Sequence, residues 1–384
     1  MVDSLNALAR SRAEACELWS ELEPYRFEDQ YYLVRTHQRF LGWGFCELLC
    51  QESLRLTAVD AARAVERAEL AVLVADLMKD DEPVTDRRLY QLRGYAWAHD
   101  GNARRVLGDL RGADESFTIA DAWWEAGEAA LGDCLGYEPV ILEHKASLRI
   151  AQRRFPEAFT LLDRIYAIHA QGTRPEHWDT HLAGRALVKK ALALAEMNEP
   201  EMSIELLQQA EPMLDLRRDA RLVLCLRHNL VWDLTTVERY AEAESRLPGA
   251  ETLCRELGNP LDLIRLRWAE GRIAAGQGHM EEAIQLLRGL RQDFVEREMA
   301  FDAALVTLEL TELYARQGCT AEVKELSVEM ASIFQAQDVP REALAALLFF
   351  QKAAERERAT AELAREIATF LQQLRVNPGL RFER

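Results

Sequence analysis

The chain reads as an all-α protein, an α-solenoid of about eight antiparallel helix pairs, and three observations carry that expectation. Six short stretches share one pattern: a turn residue, a small residue five positions on, then apolar residues four and seven further. Their small positions are Ala113, Ala158, Ser203, Ala243, Ala283 and Val323, at steps of 45, 45, 40, 40 and 40 residues. A fixed period in this range marks a helical repeat array. Twelve residues before each small position stand Gly101, Ala146, Ala191, Val231, Gly271 and Thr311. Small side chains there let two antiparallel helices approach to about 8–10 Å. Nineteen glycines and eleven prolines in 384 residues are too few for a β architecture with frequent turns.

The elements follow in order. Ser4 to Leu22 is a short helical lead within an N-terminal segment, 1–26. Val34–Gln51 and Ala58–Lys79 form a first pair, and Thr57-Ala58-Val59-Asp60 offers a capping-box-like start to its second helix. The proline-free stretch from Arg87 to Val106 is the next helix. Gly108 suits the left-handed residue that ends it, and Ala113, Phe117 and Ala120 then share one helical face. The same turn position holds Arg153, Asn198, Glu238, Gly278 and Gly318 further on. Pro156, Pro200, Pro260 and Pro340 fall where prolines belong, at helix starts. The unit around Val323 drifts furthest from the pattern. Pro340–Glu355 and Ala359–Arg375 make a last pair, and Asn377-Pro378-Gly379 stops it. The array proper spans 27–335, and 336–384 holds the C-terminal pair and a short tail.

These spacings resemble the tetratricopeptide repeat (TPR). One unit matches with Trp97, Gly101, Leu110, Ala113, Phe117 and Ala120, another with Gly271, Met280, Ala283, Leu287 and Leu290. Tyr240, Ala243, Leu247 and Ala250 match in a third, Phe155 and Ala158 in a fourth. The family's aromatic at its eleventh position survives only as Tyr314, and the period exceeds the usual length of about 34 residues. The resemblance covers residues 84–335 and is to a divergent, long-repeat bacterial type. It implies a right-handed α-solenoid, a TPR-like superhelix, whose first helices line a concave groove.

Composition narrows the function classes. Hydrophobic residues at 49% and charged residues at 29% describe a globular chain and not a disordered one. The longest continuous apolar run, Ala343–Phe350, is far short of a membrane span and reads as either a capped core or a dimer contact. Met1-Val2-Asp3-Ser4 opens no basic-then-apolar signal peptide. A net charge of −17 argues against general nucleic-acid binding, which needs a basic stripe. Seven cysteines, an odd number without dense spacing, read as free thiols in the cytoplasm.

No catalytic signature survives inspection: the chain holds no phosphate loop, no Gly-x-Gly-x-x-Gly, no His-Glu-x-x-His and no Gly-x-Ser-x-Gly. Cys46 with Cys50, and Cys225 with His228, could each hold half a metal site, but zinc needs four converging ligands and no second half is evident. Buried structural thiols are the expectation, with no metal, no cofactor and no enzyme activity. Trp123-Trp124 reads chiefly as a plug between units.

The resemblance also marks groove positions on the first helices. Carried over residue by residue, they give His99, Asn102 and Arg105, then Glu143, His144 and Ser147, then Arg185 and Lys189, then His228, Asn229 and Trp232, then Arg265, Trp268 and Arg272, then Leu305, Leu308, Glu309 and Glu312. In an acid-rich chain the middle of this list, from Asn102 to Arg272, is mostly basic, amide or aromatic. Arginine forks and lysines grip carboxylates, and amides can hold a peptide backbone as donor and acceptor. The expected ligand is a protein or peptide with acidic groups or a free C-terminus. The bland alternative is that these residues face water and bond acids on the next helix. The functional expectation is a cytoplasmic scaffold or adaptor that binds through the groove, without direct nucleic-acid or membrane contact and with room for a homodimer. The alternative is a regulatory sensor. Bacterial TPR-like regulators bind a short signalling peptide and change pitch, and many carry a helix-turn-helix for which the lead here is too brief. A sensor of this kind would act on another protein.

Overall fold

Backbone φ is positive at Gly108, Arg153, Asn198, Glu238, Gly278 and Gly318, the six turn positions that the repeat singles out. At each one the next N–H reaches the carbonyl five residues back. Asp109 bonds Arg104 at 3.0 Å, Arg154 bonds Arg149 at 2.7 Å, Glu199 bonds Leu194 at 3.0 Å, and Arg239, His279 and Cys319 bond Leu234, Ala274 and Tyr314 at 2.9 Å. This is the Schellman closure, which satisfies the last carbonyls of one helix and turns the chain into the next. Three of the six turns use a non-glycine residue, so the geometry is imposed by packing as well as by local preference.

The computed structural model describes residues 2–79, 85–131, 136–171, 178–336, 340–377 and 379–382. Among them are eighteen α-helices. Val2–Leu22 (α1) and Phe27–Thr36 (α2) come first. Eight helix-turn-helix pairs follow in chain order: α3 (Trp43–Leu56) and α4 (Ala61–Leu77), α5 (Thr85–Leu107) and α6 (Leu110–Leu131), α7 (Glu138–Ala151) and α8 (Phe155–Gln171), α9 (Thr180–Glu196) and α10 (Pro200–Ala210), α11 (Ala220–Thr236) and α12 (Tyr240–Leu257), α13 (Pro260–Gly276) and α14 (Met280–Glu296), α15 (Ala300–Arg316) and α16 (Thr320–Ala336), α17 (Arg341–Glu355) and α18 (Ala361–Val376). Contacts divide the chain into two compact units, Met1–Ala193 and Leu194–Arg384, with the division inside α9.

In the first unit α1 packs on α3, closely enough that a Cβ on Gly44 would lie 2.4 Å from the Ser11 carbonyl oxygen. The expected helix from Val34 to Gln51 is therefore broken. A 3-10 turn at Gln38–Phe40 and an extended Gly42 separate α2 from α3, which lets α3 slide under α1. The expected Thr57 start of α4 is also corrected. Thr57 bonds back to the Leu54 carbonyl at 2.7 Å, and Asp60 caps α4 by accepting from Arg63 N at 3.1 Å. The core of this unit runs from Ala15 and Leu22 through Phe45, Leu70 and Leu92 to Phe117 and Leu148.

The second unit has its own core, from Ile264 through Leu287 and Leu308 to Ile367 and Leu374. Val323, Ser327 and Met330 are buried, so the repeat register holds in the last matched pair. At the end of this unit α18 turns back onto α15. It buries Ala364, Ile367, Leu371 and Leu374, and its Arg365 and Arg375 bond Glu312 and Asp302 of α15 at 2.6 and 2.8 Å. Ala343, Ala346, Leu347 and Phe350 of the apolar run are fully buried, and Phe382 closes over Phe349 and Phe370. The run is a capped core.

Candidate ligand-binding faces

In the first unit, the first helices α5, α7 and α9 bring Asn102, Arg105, Arg185 and Lys189 together. Helical spacing places Asn102 and Arg105 on one face of α5, and Arg185 and Lys189 one turn apart on α9. Arg105 donates to Asn102 Oδ1 at 2.9 Å. Lys189 Nζ donates to Ser147 Oγ at 2.7 Å and to Glu143 Oε1 at 3.2 Å, and Arg185 pairs with the same carboxylate at 2.8 Å. Burial disfavours charge on Lys189 and Glu143 alike. Burial lowers the Lys189 pKa although Glu143 opposes it, whereas for Glu143 the two cations win and hold it below the usual carboxylate range.

Behind these cations lies a file of buried rings. Tyr95 stacks on Tyr137 at 4.2 Å, His99 stands edge-on to Tyr95 at 4.5 Å, and His144 edge-on to His99 at 4.7 Å. Burial, with Lys189, Arg105 and Arg185 nearby, drives the His144 pKa down to about 3, and burial holds His99 well below the usual histidine range. Both imidazoles are neutral at physiological pH. At the far end of the file the Tyr137 hydroxyl donates to Glu47, accepts from Trp43 Nε1 at 2.9 Å, and leaves Glu47 to a fork from Arg12 at 2.6 and 2.7 Å. Sequence reasoning missed this Arg12–Glu47–Tyr137 chain, because its members stand far apart along the chain and belong to no repeat position.

In the second unit, α11 and α13 bring together the remaining candidate residues. Asn229 is tied to its own helix through the Cys225 carbonyl at 2.7 Å. His228 is half-buried and Arg265 exposed. Trp232 meets Trp268 edge-on at 5.4 Å, and the Arg272 guanidinium lies 4.7 Å over the Trp232 ring. Trp268 is buried at 4% exposure against Phe294, and its Nε1 donates to Glu309 Oε2 at 2.7 Å. Arg272 Nε stands 3.7 Å from the other Glu309 oxygen. Burial raises the Glu309 pKa, and Arg272 opposes it. Beside this cluster a cleft of about 330 Å³ is lined by Tyr240, Arg272, Glu309, Glu312, Arg316 and Arg365. Arg365 escaped the sequence reading since it arrives from α18. Among the described residues no group of three or more His, Cys, Asp or Glu could hold a metal ion, and no helix is long and apolar enough to cross a membrane.

No family model and no curated protein matches this chain. Solved structures do. A Rap protein complexed with competence and sporulation factor superposes with a TM-score of 0.53 over 86% of this chain and 87% of that one, at 14% identity. Aspartyl phosphate phosphatase F from Bacillus subtilis gives 0.50 over 85% and 83%, also at 14% identity. At this identity the likeness speaks for the fold. The chain is a TPR-like helical-repeat protein, an all-α solenoid.

Proposed function

We propose that this chain is a binding module for a protein or peptide, without chemistry of its own, and that the first-helix faces of its units do the binding. One observation carries the reading. In an acid-rich chain, the first helices collect arginine, lysine, amide and tryptophan side chains, with Arg105, Arg185 and Lys189 in one unit and Trp232, Arg265 and Arg272 in the other. The ligand these groups suit carries acidic groups or a free C-terminus, which arginine forks recognise by paired hydrogen bonds. That one protein of this fold is seen with competence and sporulation factor bound supports a ligand-binding role. The reading takes the protein to act in the cytoplasm, with no cofactor and no direct contact with nucleic acid or membrane, and it leaves room for a homodimer.

The second reading, a sensor that binds a short signalling peptide and controls a partner, is favoured by the ion pairs. Glu143 with Arg185 and Lys189, and Glu309 with Arg272, are bonds within the protein that an acidic ligand would compete for. Exchange of such bonds gives a ligand differential affinity for two arrangements.

The test is selection of random heptapeptides, with free and amidated C-termini, by the full chain and by a Trp232→Ala, Arg265→Ala variant. Enrichment of a common motif by the wild type alone is expected. No motif above the variant's background would overturn the reading. A change in small-angle scattering on adding the selected peptide distinguishes sensor from scaffold.

A further inference from the structure

Three ring nitrogens in the first unit have no hydrogen-bond partner among the described residues: His99 Nδ1, His99 Nε2 and His144 Nε2. Both residues are more than nine-tenths buried. The large majority of buried side-chain polar atoms in folded proteins are paired, so two adjacent imidazoles with unsatisfied nitrogens point to a place arranged for a polar guest.

The charges around them define the guest. Arg185 and Lys189 on α9 share one acid, Glu143 on α7, and Arg105 on α5 brings a third cation close enough to act on Lys189 and His144. Among the described residues Arg105 has no acidic partner; its guanidinium donates to the Asn102 amide oxygen, and burial lowers its pKa. With neutral histidines the cluster keeps two positive charges in excess, inside a chain whose net charge is −17. Clustering cations next to buried rings is unfavourable by itself, since each partly desolvated charge wants a counter-ion. Glu143 answers two of the three. Its carboxylate lies where an incoming oxyanion would find Arg185 and Lys189 together, with Ser147 Oγ 2.7 Å from the lysine.

We propose that the α5–α7–α9 face binds a doubly charged oxyanion, either a phosphate monoester or the paired carboxylates of an acidic ligand, with Arg105, Arg185 and Lys189 as its cations and Asn102 as a neutral donor. Glu143 is then an internal competitor that holds the lysine and one arginine until the ligand arrives. The ligand's charge also reverses the field at His144, which now faces Lys189, Arg105 and Arg185 with Glu143 and His99 beside them. His144 Nε2 becomes a donor in the bound state. This assignment rests on the proposed binding role, since it gives a ligand class to the first unit's part of that surface. Its test uses small anions, so it succeeds or fails independently of any peptide.

Calorimetric titration of the full chain with inorganic phosphate and with succinate, near neutral pH and at fixed ionic strength, measures the site. The Cε1–H resonance of His144 reports where binding occurs. Expected is saturable binding of at least one anion below about 10 mM with a moving His144 signal, weakened tenfold or more in Arg105→Gln and tightened in Glu143→Gln. The Glu143→Gln protein should also melt lower in chloride and recover in phosphate. Binding of phosphate alone assigns the ligand to the phosphoryl class, and binding of succinate, with or without phosphate, to the carboxylates. Should Arg105→Gln lose its helical signal, Arg185→Gln, whose side chain is half-exposed, reads the same site. No binding of either anion, or equal binding by the wild type and the arginine variant, would overturn the proposal.

Discussion

Two glycines in one helix pair make a test of the packing, because the same substitution should act in opposite directions at each. Gly271 on α13 faces α14, and a Cβ there would stand 2.9 Å from Leu287 Cδ2 and 3.1 Å from its Cγ. Leu287 is 1% exposed and Ala283, one turn away, is fully buried, so the leucine has little room to retreat. Gly289 on α14 is exposed and a Cβ there meets nothing within 4 Å. Replacing a mid-helix glycine by alanine gains about 1 kcal/mol from helix propensity. Overpacking a core contact costs about 1–3 kcal/mol. Gly289→Ala should therefore stabilise by about 1 kcal/mol, while Gly271→Ala should destabilise by about 1 kcal/mol once the two effects oppose. Both sites lie in the same hairpin, so one urea denaturation followed by Trp fluorescence and circular dichroism reports on both. Equal stabilisation by the two variants would mean that α13 and α14 do not approach at Gly271, and the pairing of small residue with large residue would fall.

Asp233 supplies a pH prediction. It is buried on α11, accepts from Ser203 Oγ at 2.6 Å, and burial raises its pKa from 3.8 to about 6 in spite of that bond. Its favourable contribution is fully present below the unfolded value and is lost as pH rises through the folded one, which amounts to about 3 kcal/mol. Asp233→Asn should therefore stabilise the second unit at pH 8 by up to that amount and change little at pH 4, as read from denaturation midpoints; a pH-independent difference would contradict the burial argument. Arg272→Ala removes the cation that faces Glu309 at 3.7 Å and should lower stability at pH 8 by about 1–3 kcal/mol, below the full cost of orphaning a buried acid because the arginine is partly exposed. The deficit should shrink toward pH 5 as Glu309 takes up a proton, and identical melting curves at pH 8 would show that the two groups are not coupled.

The helix pairs were legible because each closes on itself within a short stretch of chain. Gly108, Asn198 and Glu238 stand out by their distance from a small residue, whatever their own preference, and all are left-handed. The cap of α4 was misread by one turn, since Thr57 and Asp60 are both good cap residues and only the backbone bonds closing α3, with Thr57 bonding back to Leu54, leave the cap to Asp60. The return of α18 onto α15 left no trace in the repeat, because Asp302 and Arg375 lie 73 residues apart. For the candidate faces, helical phase paired Asn102 with Arg105 on α5 and Arg185 with Lys189 on α9. It could not say that Arg185 and Lys189 share Glu143, or that Phe294 covers Trp268, because those contacts depend on the stagger between helices.

The return of α18 has a consequence for self-assembly. A stack of helix pairs ends in a bare apolar surface, to which another copy could add head to tail, and repeated addition of that kind builds a fibre. Here α18 spends its apolar side, Ala364, Ile367, Leu371 and Leu374, on its own chain. Toward solvent it shows Glu362, Arg365, Glu366, Gln372 and Gln373. A second molecule arriving at α15 finds the seat taken and a charged helix across it. Growth by addition at this face of α15 is blocked.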